Sequence, residues 1–177
     1  MPRSNGYAPL YWGVGATVVV ADLATKTVAA DRLLPAYLPR DVIGGAVRFT
    51  LVYNPGAAFG MHLGPQSRWI FSALAVGALV LLWQLFRSTR DGDWVRALAL
   101  ALVSGGAVGN LLDRLRSARG VVDFIDVGLG ASRWPTFNLA DMAVTCGAVL
   151  LALVLWREDA EPSPAEPIRG HDAPIQH

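Results

Sequence analysis

Four apolar stretches constrain this chain more than anything else in it. Tyr11–Ala30, Trp69–Phe86, Trp94–Leu112 and Met142–Trp156 approach or reach the length that crosses a bilayer as helix, about 20 residues. The last of them holds no charged residue at all. In a chain of 177 residues, four spans and their loops leave no room for a second domain. Charged residues make up only 16% and hydrophobic ones 53%, where a soluble domain carries about 25% charge. The expected fold class is therefore an all-α membrane protein of four transmembrane helices. Residues 1–157 are expected to form one transmembrane domain, and the acidic, proline-rich 158–177 a disordered tail. A net charge of +1 without a basic cluster argues against nucleic acid as a partner. The lone Cys146 excludes an internal disulfide and reads as a packing residue. Three scattered histidines offer no metal site, and no metal or cofactor is expected.

Two loops, 31–68 and 113–136, are longer than a connection requires. In the first, Val47, Phe49, Leu51 and Tyr53 alternate with Arg48, Thr50 and Val52, the period of a strand. Asn54-Pro55-Gly56-Ala57-Ala58-Phe59-Gly60 follows, a turn whose middle is apolar and whose small residues let a peptide backbone come close. The second loop holds another strand-like patch, Val121–Val127. Because successive spans alternate in direction, both loops share one side of the membrane. Asn54, Asn110, Asp113, Asp123, Asn138 and Asp141 all fall on that side, and Asp22 and Lys26 point toward it. Polar groups at a membrane boundary are costly, and separate islands of them converging on one interface suggest an active site.

Each island also has a plainer reading. Asn138-x-x-Asp141 fits a helix N-cap with an acid at N3, and Asp123 fits a solvated loop acid. Asp22 and Lys26, spaced i, i+4, can neutralise one another. Asp113 opposes the dipole at the end of its helix, which suggests a salt bridge that positions Arg114 or Arg116. Ser104-Gly105-Gly106-Ala107-x-Gly109 offers a small-residue surface for close helix packing. Read functionally, two nearby carboxylates can share a proton and activate water. An alternative is a four-helix proton-coupled membrane transporter with Asp22 as relay. Charge counts leave the orientation open: Arg87, Arg90 and Arg96 mark one side, but more arginines lie on the other.

Taken together, Asn54-Pro-Gly-Ala-Ala-Phe59, Gly105-Gly-Ala-Val-Gly-Asn110-Leu-Leu-Asp113-Arg114, Val121-Val-Asp123-Phe124 and Phe137-Asn138-Leu-Ala-Asp141 resemble lipoprotein signal peptidase, the bacterial signal peptidase II. Asp22-x-x-x-Lys26 is similar as well, while Pro55 stands where the family more often has threonine. The resemblance implies a membrane-embedded aspartic endopeptidase that removes the signal peptide from diacylglyceryl-modified prolipoproteins, cutting before the lipidated cysteine. By position it implies Asp123 and Asp141 as the catalytic pair. Asn54, Gly56, Asn110, Arg114 and Asn138 would bind substrate, with Asp22, Lys26 and Asp113 in support. It adds a small extracytoplasmic β-sheet and a short helix to the four spans. It also implies a bacterial cytoplasmic membrane location, with the active site at the extracytoplasmic face and both termini in the cytoplasm. The implied partners are prolipoprotein substrates and membrane lipid, with no cofactor and no obligate protein partner.

Overall fold

The computed structural model describes residues 6–55 and 64–160. It contains four long helices, α1 (Ala8–Arg32), α2 (Ser67–Arg87), α3 (Trp94–Arg116) and α4 (Leu139–Ala160). All four are long and apolar enough to cross a membrane. Each encloses one of the apolar stretches, and α4 runs three residues into the segment expected as a tail. Residues 161–177 lie outside the described part. Val20, Leu74, Val80, Leu81 and Leu153 stand exposed on the helix flanks, which is the surface a hydrocarbon solvent requires.

The centre of the bundle is α3, which buries Ala97, Leu100, Ala101 and Ser104. Without a hydrophobic drive between helices in lipid, close backbone approach must supply the packing. The small residues of α3 provide it. A Cβ on Gly105 would lie 2.9 Å from the Gly15 carbonyl oxygen of α1, and one on Gly106 would strike the Ala140 carbonyl of α4. Toward the opposite end, Tyr11 stacks on Phe86 with ring centroids 4.0 Å apart. Its hydroxyl donates to Ser104 Oγ at 2.8 Å, so the buried phenol is satisfied.

Beyond one end of the bundle the two long loops form an antiparallel sheet in the order β1 (Arg40–Ile43), β2 (Val47–Asn54), β3 (Val121–Leu129), β4 (Ser132–Arg133). The expected strands are β2 and β3. The others were too short to show an alternation, and β1 is exposed along its whole length. β3 is held on both edges. On one, Val52 faces Asp123 and Asn54 faces Val121. On the other, Ile125 N–H donates to the Phe137 carbonyl at 2.8 Å, and the Ile125 carbonyl accepts from Phe137 N–H at 3.0 Å. Thus one strand fixes the end of β2 and the start of α4 together. Gly120 makes the turn into β3 at φ +94°, with its Cα so close to the Asn54 carbonyl that a Cβ would collide with it. Leu51 and Phe124 pack on Ala29 and Leu33, seating the sheet on α1. Of the expected short helix, only a 3-10 turn at Gly64–Gln66 is described. Residues 56–63, including Gly56, lie outside the described part.

The glycine contacts give a test by sign. Gly106→Ala forces α3 away from α4 and should cost about 1–3 kcal/mol, as overpacking does. Gly77→Ala meets no atom within 4 Å and should leave stability unchanged or raise it through helix propensity. Thermal unfolding of both variants in detergent compares them directly, and equal midpoints would remove the packing role.

Candidate active site

Lys26 is the first residue of the site to settle, because an ammonium 3% exposed at this depth needs partners. Its Nζ lies 2.7 Å from Asp22 Oδ2 and 2.9 Å from Asp113 Oδ2. It also donates to Asn110 Oδ1 at 2.9 Å. The expected Asp22–Lys26 pair is present, but as part of a buried hub joining α1 to α3. Asp22 reaches further still: its Oδ1 accepts from Ala140 N–H at 2.9 Å, in the first turn of α4. With both oxygens engaged, Asp22 holds helices together and is not arranged as a relay.

Asp113 differs from expectation. It is held by Lys26 and by Val122 N–H, which donates to Asp113 Oδ2 at 3.1 Å, and not by Arg114 or Arg116. Consecutive side chains on a helix point about 100° apart. Asp113 therefore faces α1 and β3 while Arg114 turns into a neighbouring cavity. Arg114 Nη1 donates to the Asn110 carbonyl one turn back at 3.1 Å.

Asn110 carries the network onward. Its Nδ2 donates to Asp141 Oδ1 at 2.8 Å. Asp141 and Asn138 form a reciprocal cap: Asp141 N–H donates to Asn138 Oδ1 at 3.0 Å, and Asn138 N–H to Asp141 Oδ2 at 3.2 Å. The N-cap reading is thus correct, yet it leaves Asp141 Oδ1 facing the polar cluster. Asn138, fully buried, uses its Nδ2 on Asp123 Oδ1 at 2.7 Å and Asn110 Oδ1 at 3.1 Å. Asn54 Nδ2 donates to Asp123 Oδ2 at 3.2 Å. Every described residue that the resemblance assigns to the site therefore belongs to one connected cluster.

Asp123 is 3% exposed, so the solvated-loop reading fails. Burial pushes its carboxyl up to about 7, aided by the negative charge of Asp141 and opposed by the amide donors of Asn54 and Asn138. A cavity of about 290 Å³ opens beside the two carboxylates, with Asn54, Asn110, Arg114, Asp123, Trp134 and Asp141 among its walls. Trp134, Phe137, Asp141 and Thr145 also line an adjoining apolar groove that continues past Met142 to Cys146. Cys146 is accordingly exposed on this groove and not packed inside.

One clamp escaped the sequence reading. Arg133 Nε donates to Asp126 Oδ1 at 2.8 Å, and its other nitrogens reach the carbonyls of Gly45, Gly128 and Asp126 at 2.7, 3.0 and 3.0 Å. Thr50 Oγ1 donates to Asp126 Oδ2 at 3.2 Å. This clamp ties β2, β3 and β4 behind Asp123. The available signal was Asp126 on the opposite strand face from Asp123, with an arginine just past a glycine turn.

Fold and site define a multi-pass membrane protein that encloses paired carboxylates and amide donors at one end of its bundle. The model of the signal peptidase (SPase) II family matches residues 14–157, and the chain belongs to that family of peptidases. It is similar to the lipoprotein signal peptidase of Burkholderia mallei (strain SAVP1), 41% identical over 155 residues, covering 85% of this chain and 90% of that protein. The lipoprotein signal peptidase of Xanthomonas campestris pv. campestris (strain 8004) is 41% identical over 153 residues, with coverage of 85% and 90%. A bacterial membrane enzyme structure determined by the in meso method at 2.3 Å resolution superposes with a TM-score of 0.80 at 27% identity, covering 91% of this chain and 96% of that one. A second, at 1.9 Å resolution, gives 0.75 at 28% identity, covering 86% and 96%.

Replacing Lys26 by Met leaves two buried carboxylates without their cation. The expected cost is about 3–5 kcal/mol, read as a lower thermal midpoint in detergent. Adding Asp113→Asn in that background should recover part of the loss, since one uncompensated charge goes. A Lys26→Met protein as stable as the parent would show that the hub carries no energetic weight.

Proposed function

We propose that this protein is an aspartic endopeptidase that removes the signal peptide from diacylglyceryl-modified prolipoproteins, cutting before the lipidated cysteine. The observation that carries the reading is the junction at Asn138. This one side chain hydrogen-bonds Asp123 and caps the turn that holds Asp141, so both carboxylates face one cavity in fixed relation. Family membership and the relatives' names support the substrate class. The apolar groove running from the cavity along α4 supports a lipid-bearing substrate that arrives sideways from the bilayer.

The two aspartates differ in ways that suit them to opposite roles. Asp123, buried and raised to about 7, carries the shared proton and acts as the acid. Asp141 stands in the first turn of α4, where the helix dipole stabilises negative charge, and acts as the base. Asp141 takes a proton from water as the water oxygen attacks the scissile carbonyl carbon. Asp123 gives its proton to the carbonyl oxygen, and a tetrahedral diol forms. When the C–N bond breaks, Asp141 returns its proton to the leaving amine, Asp123 regains one from the diol hydroxyl, and the acid product leaves. Arg114 and Asn54 stand at the cavity to bind the peptide carbonyls and offset developing charge. Residues 1–157 act as the peptidase domain. The site lies at the extracytoplasmic face, with loops 31–68 and 113–136 on that side. The Arg87–Arg90 loop, both termini and the 158–177 tail lie in the cytoplasm.

Asp123→Asn and Asp141→Asn should each abolish cleavage of a diacylated prolipoprotein while insertion and folding persist. Substantial turnover by either variant would sink the paired-acid mechanism and leave the family assignment standing. Arg114→Lys keeps the charge but loses the planar fork, and should fall well below wild type in kcat at matched protein levels. Full activity would make Arg114 a simple headgroup anchor.

The pH dependence follows from Asp123. A proton held up to about pH 7 is the active form, so the rate should drop as pH rises through about 7. Stability moves the same way. Between 3.8, where the unfolded carboxyl ionises, and about 7 the native state binds the extra proton, and that stabilisation is lost as pH climbs. A rate flat from mildly acidic to alkaline pH would contradict an acid role for Asp123.

A further inference from the structure

Trp134, Phe137, Asp141 and Thr145 each belong to two volumes, the polar cavity beside the carboxylates and the apolar groove along α4. Of the four, Trp134 alone is a large apolar side chain left mostly exposed, at 58%. An exposed indole at a membrane boundary is ordinarily a headgroup anchor. The backbone under Trp134 is built for something more exacting. Its N–H donates to the Val127 carbonyl at 2.8 Å. Arg133, just before it, donates to the Asp126 carboxylate and to the carbonyls of Asp126, Gly128 and Gly45. Pro135, just after it, has its φ fixed by the ring, and Phe137 pairs with Ile125 in both directions. The indole therefore stands on a stem held from both sides. A large ring so mounted offers contact area with little left to order when something binds.

The connectivity of a diacylglyceryl-modified substrate says what would meet it. The lipid hangs from the cysteine sulfur, only a few bonds from the scissile amide. With peptide in the polar cavity and acyl chains in the apolar groove, the link between them crosses the boundary that these four residues form. Asp141 is taken up by the α4 cap, Phe137 is half-buried, and Thr145 is too small to cover much area. A thioether and the glyceryl carbons beside it are soft and apolar, and sulfur packs favourably on an aromatic ring.

We propose that Trp134 is a specificity-determining residue whose indole packs on the thioether and glyceryl carbons of the lipidated cysteine, setting the scissile bond against Asp141. Arg133 is the positioning residue that holds the indole there. The inference rests on the substrate class proposed above and adds the side chain that reads the lipid attachment.

The first arm of the test is kinetic. On a diacylated prolipoprotein, Trp134→Ala should raise KM about ten-fold with a much smaller change in kcat, the scale of a lost aromatic contact. Trp134→Phe should recover most of the loss, and Arg133→Gln should raise KM with the indole still present. Thermal unfolding in detergent checks that each variant is folded, and Trp134 decides alone if Arg133→Gln is not. The second arm needs no cleavage. A peptide with a diacylglyceryl cysteine, brominated near the ester end of its acyl chains, should quench the fluorescence of the Asp141→Asn protein. Adding Trp134→Phe should remove most of that quenching, since among the described residues no other tryptophan lines either volume. An unchanged KM in Trp134→Ala, a fall confined to kcat, or quenching that survives Trp134→Phe overturns the inference and returns the indole to the headgroup layer. Cleavage of the diacylated substrate by the wild type would then leave the proposed function standing. A protein that is quenched through Trp134 but whose wild type cuts nothing supports this inference and sinks the peptidase reading alone.

Discussion

The structure depends on the placement of one ammonium group. Lys26 lies in a span that faces lipid on its other sides, and its charge is tolerable only because Asp22, Asp113 and Asn110 surround it within 3 Å. Those three partners hold the rest of the site. Asp22 grips the first turn of α4, Asp113 grips the start of β3, and Asn110 grips Asp141. The sum of the local charges then bears on the chemistry. Lys26 and Arg114 contribute +2, while Asp22, Asp113 and Asp141 contribute −3. The cluster is already one charge negative with Asp123 neutral, so ionising Asp123 adds a second uncompensated charge in a buried place. That is a physical reason for a proton to remain on Asp123 near neutral pH.

A second constraint is that helix ends in a poorly solvated region must satisfy their own N–H groups. At α4, Ala140 N–H goes to Asp22 and Asp141 N–H to Asn138. The residues that finish the helix are therefore those that shape the carboxylate pair. Structural and chemical readings of Asn138 and Asp141 are not rivals, because the cap is what fixes the carboxylate. A group locked by backbone bonds needs little reorganisation when charge moves, which is the main electrostatic advantage a site can have.

Much of this was legible in the sequence, for a local reason. Span length and the lack of charge are properties of contiguous residues, so all four helices could be read. The alternation in Val47–Tyr53 and the β-branched Val121–Val127 patch marked β2 and β3. The alternating direction of the spans was enough to gather Asn54, Asn110, Asp123, Asn138 and Asp141 at one end. What stayed hidden depends on which neighbour a side chain turns to meet. Asp113 is beside Arg114 in sequence but bonds Lys26 on another helix. The Arg133–Asp126 clamp closes around carbonyls far away in the chain, including Gly45. Cys146, apolar by context, faces a groove created by the segment that pairs with β3.

The two neighbouring volumes at the carboxylate end differ in what they can hold. The polar cavity of about 290 Å³ has room for a few backbone groups of an extended peptide, but not for two acyl chains as well. The apolar groove beside it shares Trp134, Phe137, Asp141 and Thr145 with the cavity. A lipid lodged in that groove places whatever it is attached to within reach of Asp141. Under the proposed function, selection rests on where the lipid tethers the peptide in the bilayer, with little reading of side chains. The fixed part of the site supports this division. Asn54 and Asn110 turn amides to the cavity that suit backbone groups, while Asn138, fully buried, spends its amide on Asp123, Asn110 and the α4 cap.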